Sequence, residues 1–74
     1  MNGKSILITG ASGFTGRHLI SAARSEGYHC VALCRTLADI VPDADECVTA
    51  DILDASAIEG VICNVQPHFV VHLA

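Results

Sequence analysis

"ILITGASGFTGRHLI", residues 6–20, decides how this chain folds. Three residues, Ile6, Leu7 and Ile8, are apolar without a break. Continuous rather than alternating apolar residues suit a parallel strand covered on both faces. Gly10, Gly13 and Gly16 follow at intervals of three. Gly10 permits a tight turn, Gly13 lets a ligand approach the backbone without meeting a β-carbon, and Gly16 lets the next helix pack close to the strand. That helix spans Phe14 to about Ser25, with Leu19, Ala22 and Ala23 as its sheet-facing stripe, Arg17 and Arg24 solvated outside it, and Gly27 as a stop. Free N–H groups and the positive end of the helix dipole then face the turn, and a pyrophosphate fits that requirement. Glycines that serve only a tight turn are the competing reading, but the strand before and the helix after them supply the context in which such a loop binds phosphate.

The rest of the chain continues the alternation. His29–Cys34, "HCVALC", reads as a second strand, and residues 35–45 as a loop punctuated by Pro42. Residues 46–50 form a short third strand. Asp54 or Ser56 can cap the next helix, Ser56 having capping-box spacing to Glu59. Ile58, Val61, Ile62 and Val65 fall at i, i+3, i+4 and i+7. Pro67 closes the connection and residues 68–73 form a fourth strand. The order β-α-β-β-α-β predicts an α/β fold with a parallel sheet and right-handed crossovers. At 74 residues, 51% hydrophobic and 16% charged, the chain is rich in interior residues for its length, and it is expected to be one incomplete domain.

Composition excludes several functions. A net charge of −4 and few aromatic residues argue against nucleic acid as a partner. No stretch approaches a membrane span or a signal-peptide core, so a cytoplasmic location is expected. The four cysteines form no C-x-x-C pair. Cys30 and Cys34 would lie about 13 Å apart at roughly 3.3 Å per residue, too far for a disulfide or a shared metal, so free buried thiols are expected. The same spacing separates His68 from His72, and no metal site is expected. His72 is expected to be a packed, hydrogen-bonded core histidine. Ser12 has no credible partners for a hydrolase triad.

Three stretches together carry a resemblance. "TGASGFTG" (residues 9–16), "ADILD" (residues 50–54) and "PHFVVHLA" (residues 67–74) stand in this order. They resemble, respectively, the TGxxGxxG turn, the D-[IL]-x-D segment after the third strand, and the P-D-x-V-[IV]-H-L-A-A fourth strand of the extended short-chain dehydrogenase/reductases, the NAD-dependent epimerase/dehydratase family. The resemblance implies the N-terminal part of a Rossmann-type NAD(P)-binding domain, with the substrate domain absent. It implies that Gly10, Gly13, Phe14, Thr15 and Gly16 lie at the pyrophosphate, Asp51 and Ile52 at the adenine, and Leu73 and Ala74 along the nicotinamide side. It further implies hydride transfer on a nucleotide sugar by epimerase, dehydratase or reductase chemistry, in a protein expected to be a homo-oligomer.

The end of the second strand selects the dinucleotide. An acid there binds the ribose 2′-hydroxyl of NAD, whereas an arginine accommodates the 2′-phosphate of NADP. The chain reads "VALCRT", with Arg35 and Thr36 at that place and no acid before Asp39. NADP is therefore favoured over NAD, with Arg35 as a cofactor-binding residue; an Arg35 that stacks on adenine without selecting is the alternative. Catalytic residues are not expected among these residues. The family's Tyr-x-x-x-Lys pair is missing, since Ala32 stands four residues after the single tyrosine, Tyr28, and the single lysine, Lys4, precedes it. A non-catalytic dinucleotide-binding or self-associating module is the alternative function.

Overall fold

The computed structural model describes residues 3–11, 13–36, 41 and 43–73. Its elements are β1 (Ser5–Thr9), α1 (Phe14–Ser25), β2 (His29–Cys34), β3 (Glu46–Thr49), α2 (Ala55–Val65) and β4 (Phe69–His72). Each lies within a residue of where hydrophobic pattern and turn residues place it. The sheet has the order β3-β2-β1-β4, and every neighbouring pair is parallel. The chain therefore steps outward from β1 to β3 and returns to the other side of β1. Strand order reverses between β1 and β4, the place where open parallel sheets bind ligands.

The uninterrupted apolar runs are explained by a core on each face of the sheet. Ile6 and Ile8 of β1 join Cys30, Ala32 and Cys34 of β2 against Ile20 and Ala23 of α1. Leu7, Val31 and Leu33 point the other way and meet Val61 of α2, with Ile58 and Val65 half-buried beside it. Each leucine, isoleucine or valine fully buried in this way contributes on the order of 1.5–3 kcal/mol relative to exposure. Ile62, the remaining member of the expected α2 stripe, is largely exposed.

The stripe of α1 differs from the expected one. Gly16, Ile20 and Ala23 are its buried residues, Leu19 is half-buried, and Ala22 is exposed. The helix turns its i, i+4, i+7 row to the sheet because Gly16 must face the turn below it, and this swings Ala22 outward. Arg24 is more than a solvated charge. Its Nη1 donates to the Asp43 carbonyl at 2.8 Å and its Nη2 lies 3.5 Å from Asp45 Oδ1. Asp45 in turn accepts from the Cys30 backbone N–H through Oδ2 at 2.8 Å and donates its own N–H to the Cys30 carbonyl at 2.9 Å. The link from β2 to β3 is pinned at its far end by this cluster; part of the expected loop, including Asp39 and Pro42, lies outside the described residues. Among the cysteines, Cys30 and Cys34 are buried as expected, but Cys47 is half-buried and Cys63 exposed on α2. Burial, with Asp45 adding and Arg24 opposing, pushes the Cys30 thiol above its ordinary pKa, which keeps it protonated and unreactive.

Ile20→Ala is expected to destabilise the fold by about 2–5 kcal/mol, because its site is sealed on all sides. Ala22→Ser should change stability by less than about 0.5 kcal/mol. Urea unfolding of the two variants measures the difference.

Candidate dinucleotide-binding edge

All the strands are parallel, so their carboxyl ends share one edge of the sheet. That edge collects the described residues singled out by sequence. β1 ends at Thr9 and delivers Gly10, β2 ends at Cys34 and delivers Arg35, β3 ends at Thr49 ahead of Asp51 and Ile52, and β4 ends at His72 ahead of Leu73. Ala74 lies outside the described residues.

The turn after β1 shows why two of its glycines are needed. Gly10 has φ +69°, in the left-handed region that L side chains avoid. Gly16 is buried, and a β-carbon there would fall within 3.0 Å of the Ala11 backbone oxygen, Cα and carbonyl carbon. Gly16 thus permits close packing of α1 on the turn itself rather than on the strand. Gly13 is different. A β-carbon there would meet nothing within 4 Å, and its φ of −81° is ordinary. Among the described residues nothing demands a glycine at Gly13, and the space beside it is open.

Gly13 is also the N-cap of α1, and as a glycine it makes no side-chain cap. The first turn of α1 carries no acidic residue. Arg17 makes the first backbone bond back to the Gly13 carbonyl, at 3.1 Å. The N–H groups of Phe14, Thr15 and Gly16 precede it and have no intrahelical acceptor. These N–H groups stand at the N-terminal end of α1 next to Gly13, where an anion would gain hydrogen bonds and the helix dipole together. Phe14 is 80% exposed and stacks edge-on against His18, with ring centroids 4.4 Å apart.

The other positions flank this cradle. Arg35 and Thr36 are exposed just beyond β2. Asp51 is exposed, and its Oδ1 accepts from the Leu53 N–H at 2.9 Å while its carbonyl accepts from Asp54 N–H at 2.9 Å. Its carboxylate thereby shapes its own turn. Ile52 is half-buried and Leu53 is 90% exposed. Asp54, rather than Ser56, caps α2, accepting the Ala57 N–H at 3.2 Å. Leu73 is half-buried against the α1-side core and donates its N–H to the Thr9 carbonyl at 3.0 Å. His72 is hydrogen-bonded, but through Nδ1 to Thr9 Oγ1, and it is exposed rather than packed in the core. The sequence reading missed this pairing, whose partners stand 63 residues apart. Among the described residues no group of three His, Cys, Asp or Glu side chains is placed to hold a metal ion.

Comparison with known proteins agrees with the geometry. The sequence profile of the NAD dependent epimerase/dehydratase family matches residues 6–74. A 3-diazoavenalumate denitrifying reductase from a Streptomyces species is 39% identical over 67 residues, covering 90% of this chain and 22% of its own. The UDP-glucose 4-epimerase of Thermotoga maritima, solved with UDP-glucose, superposes with a TM-score of 0.78 at 26% identity, covering 95% of this chain and 24% of the other. The Bordetella bronchiseptica enzyme WbmG, solved with NAD and UDP, superposes with a TM-score of 0.77 at 27% identity, covering 93% of this chain and 24% of the other. The chain spans about a quarter of the length of these proteins.

The different surroundings of two glycines give a direct test. Gly13→Val should leave stability within about 1 kcal/mol while abolishing dinucleotide binding, since its side chain fills the cradle. Gly16→Ala should cost about 1–3 kcal/mol by forcing α1 off the turn. Thermal unfolding and ligand titration of both variants separate the two effects.

Proposed function

The chain belongs to the NAD dependent epimerase/dehydratase family, and from that premise we propose that the turn after β1 holds the pyrophosphate of an NAD(P) dinucleotide, with NADP preferred. The observation that carries the reading is the uncapped start of α1, opening on empty space over a glycine that the fold does not otherwise require. The Phe14, Thr15 and Gly16 N–H groups bind the diphosphate, and Gly10 sets the bend that aims them. Asp51 and Ile52 border the adenine. Arg35 presents a planar guanidinium to the 2′-phosphate, a geometry suited to two parallel hydrogen bonds. Leu73 and Ala74 line the nicotinamide side. When bound, the nicotinamide supplies a hydride donor or acceptor.

These residues form the N-terminal part of the NAD(P)-binding domain in a protein that acts on a nucleotide sugar by hydride transfer, as epimerase, dehydratase or reductase. The support is the family itself and the UDP-glucose and UDP found with two structures of the same fold. The family's Tyr-x-x-x-Lys acid/base pair has no counterpart among these 74 residues. No helix among the described residues is long and apolar enough to cross a membrane. A cytoplasmic location is part of the reading, supported by thiols that remain free. So is self-association, supported by Phe69 and Val70 exposed on the edge strand β4. The same two residues favour a second reading, a non-catalytic self-associating module; an oligomer without hydride transfer to any nucleotide sugar would establish it.

Titration with NADPH and NADH tests the cofactor assignment. A charge-assisted contact from Arg35 should make NADPH bind about 10- to 100-fold more tightly. Arg35→Gln should remove that advantage and leave NADH unchanged. Equal affinity for both cofactors in the unaltered protein would take Arg35 out of the role.

A further inference from the structure

β4 is joined to β1 by two side-chain bridges that the dinucleotide reading does not use. At the amino end, the Ser5 backbone N–H donates to His68 Nδ1 at 3.1 Å, with Ser5 Oγ at 3.4 Å from the same nitrogen. At the carboxyl end, Thr9 Oγ1 is hydrogen-bonded to His72 Nδ1. The bridges stand four residues apart on each strand and lie on the face shared by Leu7 and Val70, which pair in register. That face of β4 has little else to hold it, because Val70 is about half exposed.

The two bridges occupy unlike places. Ser5 and His68 are remote from the ligand edge. Thr9 is the buried polar residue of the described core, 6% exposed, and the next residue is Gly10, where the turn begins. His72 leads directly into Leu73. One side-chain bond therefore ties the residue that launches the pyrophosphate turn to the residue that launches the opposite wall of the crevice. A hydroxyl can donate to or accept from an imidazole nitrogen, so the tie forms with either tautomer of His72.

We propose that Thr9 and His72 are a positioning pair that sets the gap between the pyrophosphate turn and the end of β4, and so governs binding of the nicotinamide half of the dinucleotide. The inference rests on the dinucleotide reading above. A ligand at a strand-order reversal lies across the strand ends, with its adenosine ribose at the end of β2 and its other half beyond β1. A slip of β4 relative to β1 moves the wall met by the nicotinamide half and leaves the adenosine side in place.

The test compares NADPH with its adenosine half, 2′-phospho-ADP, on the purified protein and four variants, with a thermal midpoint for each. Thr9→Val should weaken NADPH about five- to tenfold, the worth of one positioned hydrogen bond, and leave 2′-phospho-ADP unchanged. His72→Leu, a change at an exposed site, should do the same. Thr9→Ser should restore NADPH. His68→Leu, which removes the bridge at the amino end, should lower the midpoint without altering the ratio of the two affinities, which a merely structural role for Thr9 would also leave unaltered. Equal weakening of both ligands by Thr9→Val and His72→Leu, or no weakening of either, overturns the proposal. An unaltered protein that binds neither ligand overturns the dinucleotide reading, and the positioning role with it.

Discussion

The contact between Gly16 and the backbone of Ala11 is the constraint on which the rest depends. Any β-carbon at Gly16 would overlap three backbone atoms of Ala11. With hydrogen there instead, α1 starts directly against the turn, and its first N–H groups come to the carboxyl edge of the sheet. The same contact fixes the rotation of α1 about its axis. Gly16 faces inward, so Ile20 and Ala23 do too, and they complete one face of the core. The position of the α1 N-terminus and the hydrophobic packing thus share a single geometric origin.

The sheet supplies the second element, a reversal of strand order. With β1 in the middle and β2 and β4 on either side, no crossover covers the carboxyl edge between β1 and β4. Two faces of core are needed to hold such a sheet, which accounts for the apolar residues standing side by side in β1 and β2. β4 is the less buried member. It is short and exposes Phe69 and Val70, and it is held to β1 by backbone pairing and by the two hydroxyl–imidazole bridges.

What could be read from sequence was local. Runs of apolar residues, glycine spacing and the prolines fix the elements to within a residue, because each depends on neighbours a few positions away. The stripe of α1 was misread because Ala22 and Ile20 both satisfy a helical period, and the choice between them is made by Gly16 in three dimensions. Arg24 looked solvated because its partners, Asp43 and Asp45, come from a segment 19 to 21 residues on. The Thr9–His72 bond was hidden for the same reason, since nothing in sequence registers β4 on β1. Family motifs gave the positions at the carboxyl edge, but not that Asp51 spends one oxygen on its own turn.

The contrast between the two helices argues for α1 as the anion site on physical grounds alone. Both helices begin at the carboxyl edge, and both carry the positive end of a dipole there. α2 spends its own: Asp54 accepts the Ala57 N–H and places a carboxylate at the helix start, with Asp51 three residues earlier. An arriving phosphate would meet negative charge and an N–H already occupied. α1 begins on a glycine, has no acid in its first turn, and a β-carbon at that glycine would meet nothing within 4 Å among the described residues. Of the two helices, α2 has a side-chain cap at its N-terminus and α1 has none from its N-cap residue. The proposed placement of an anion at α1 rather than α2 therefore follows from which helix keeps its cap for itself.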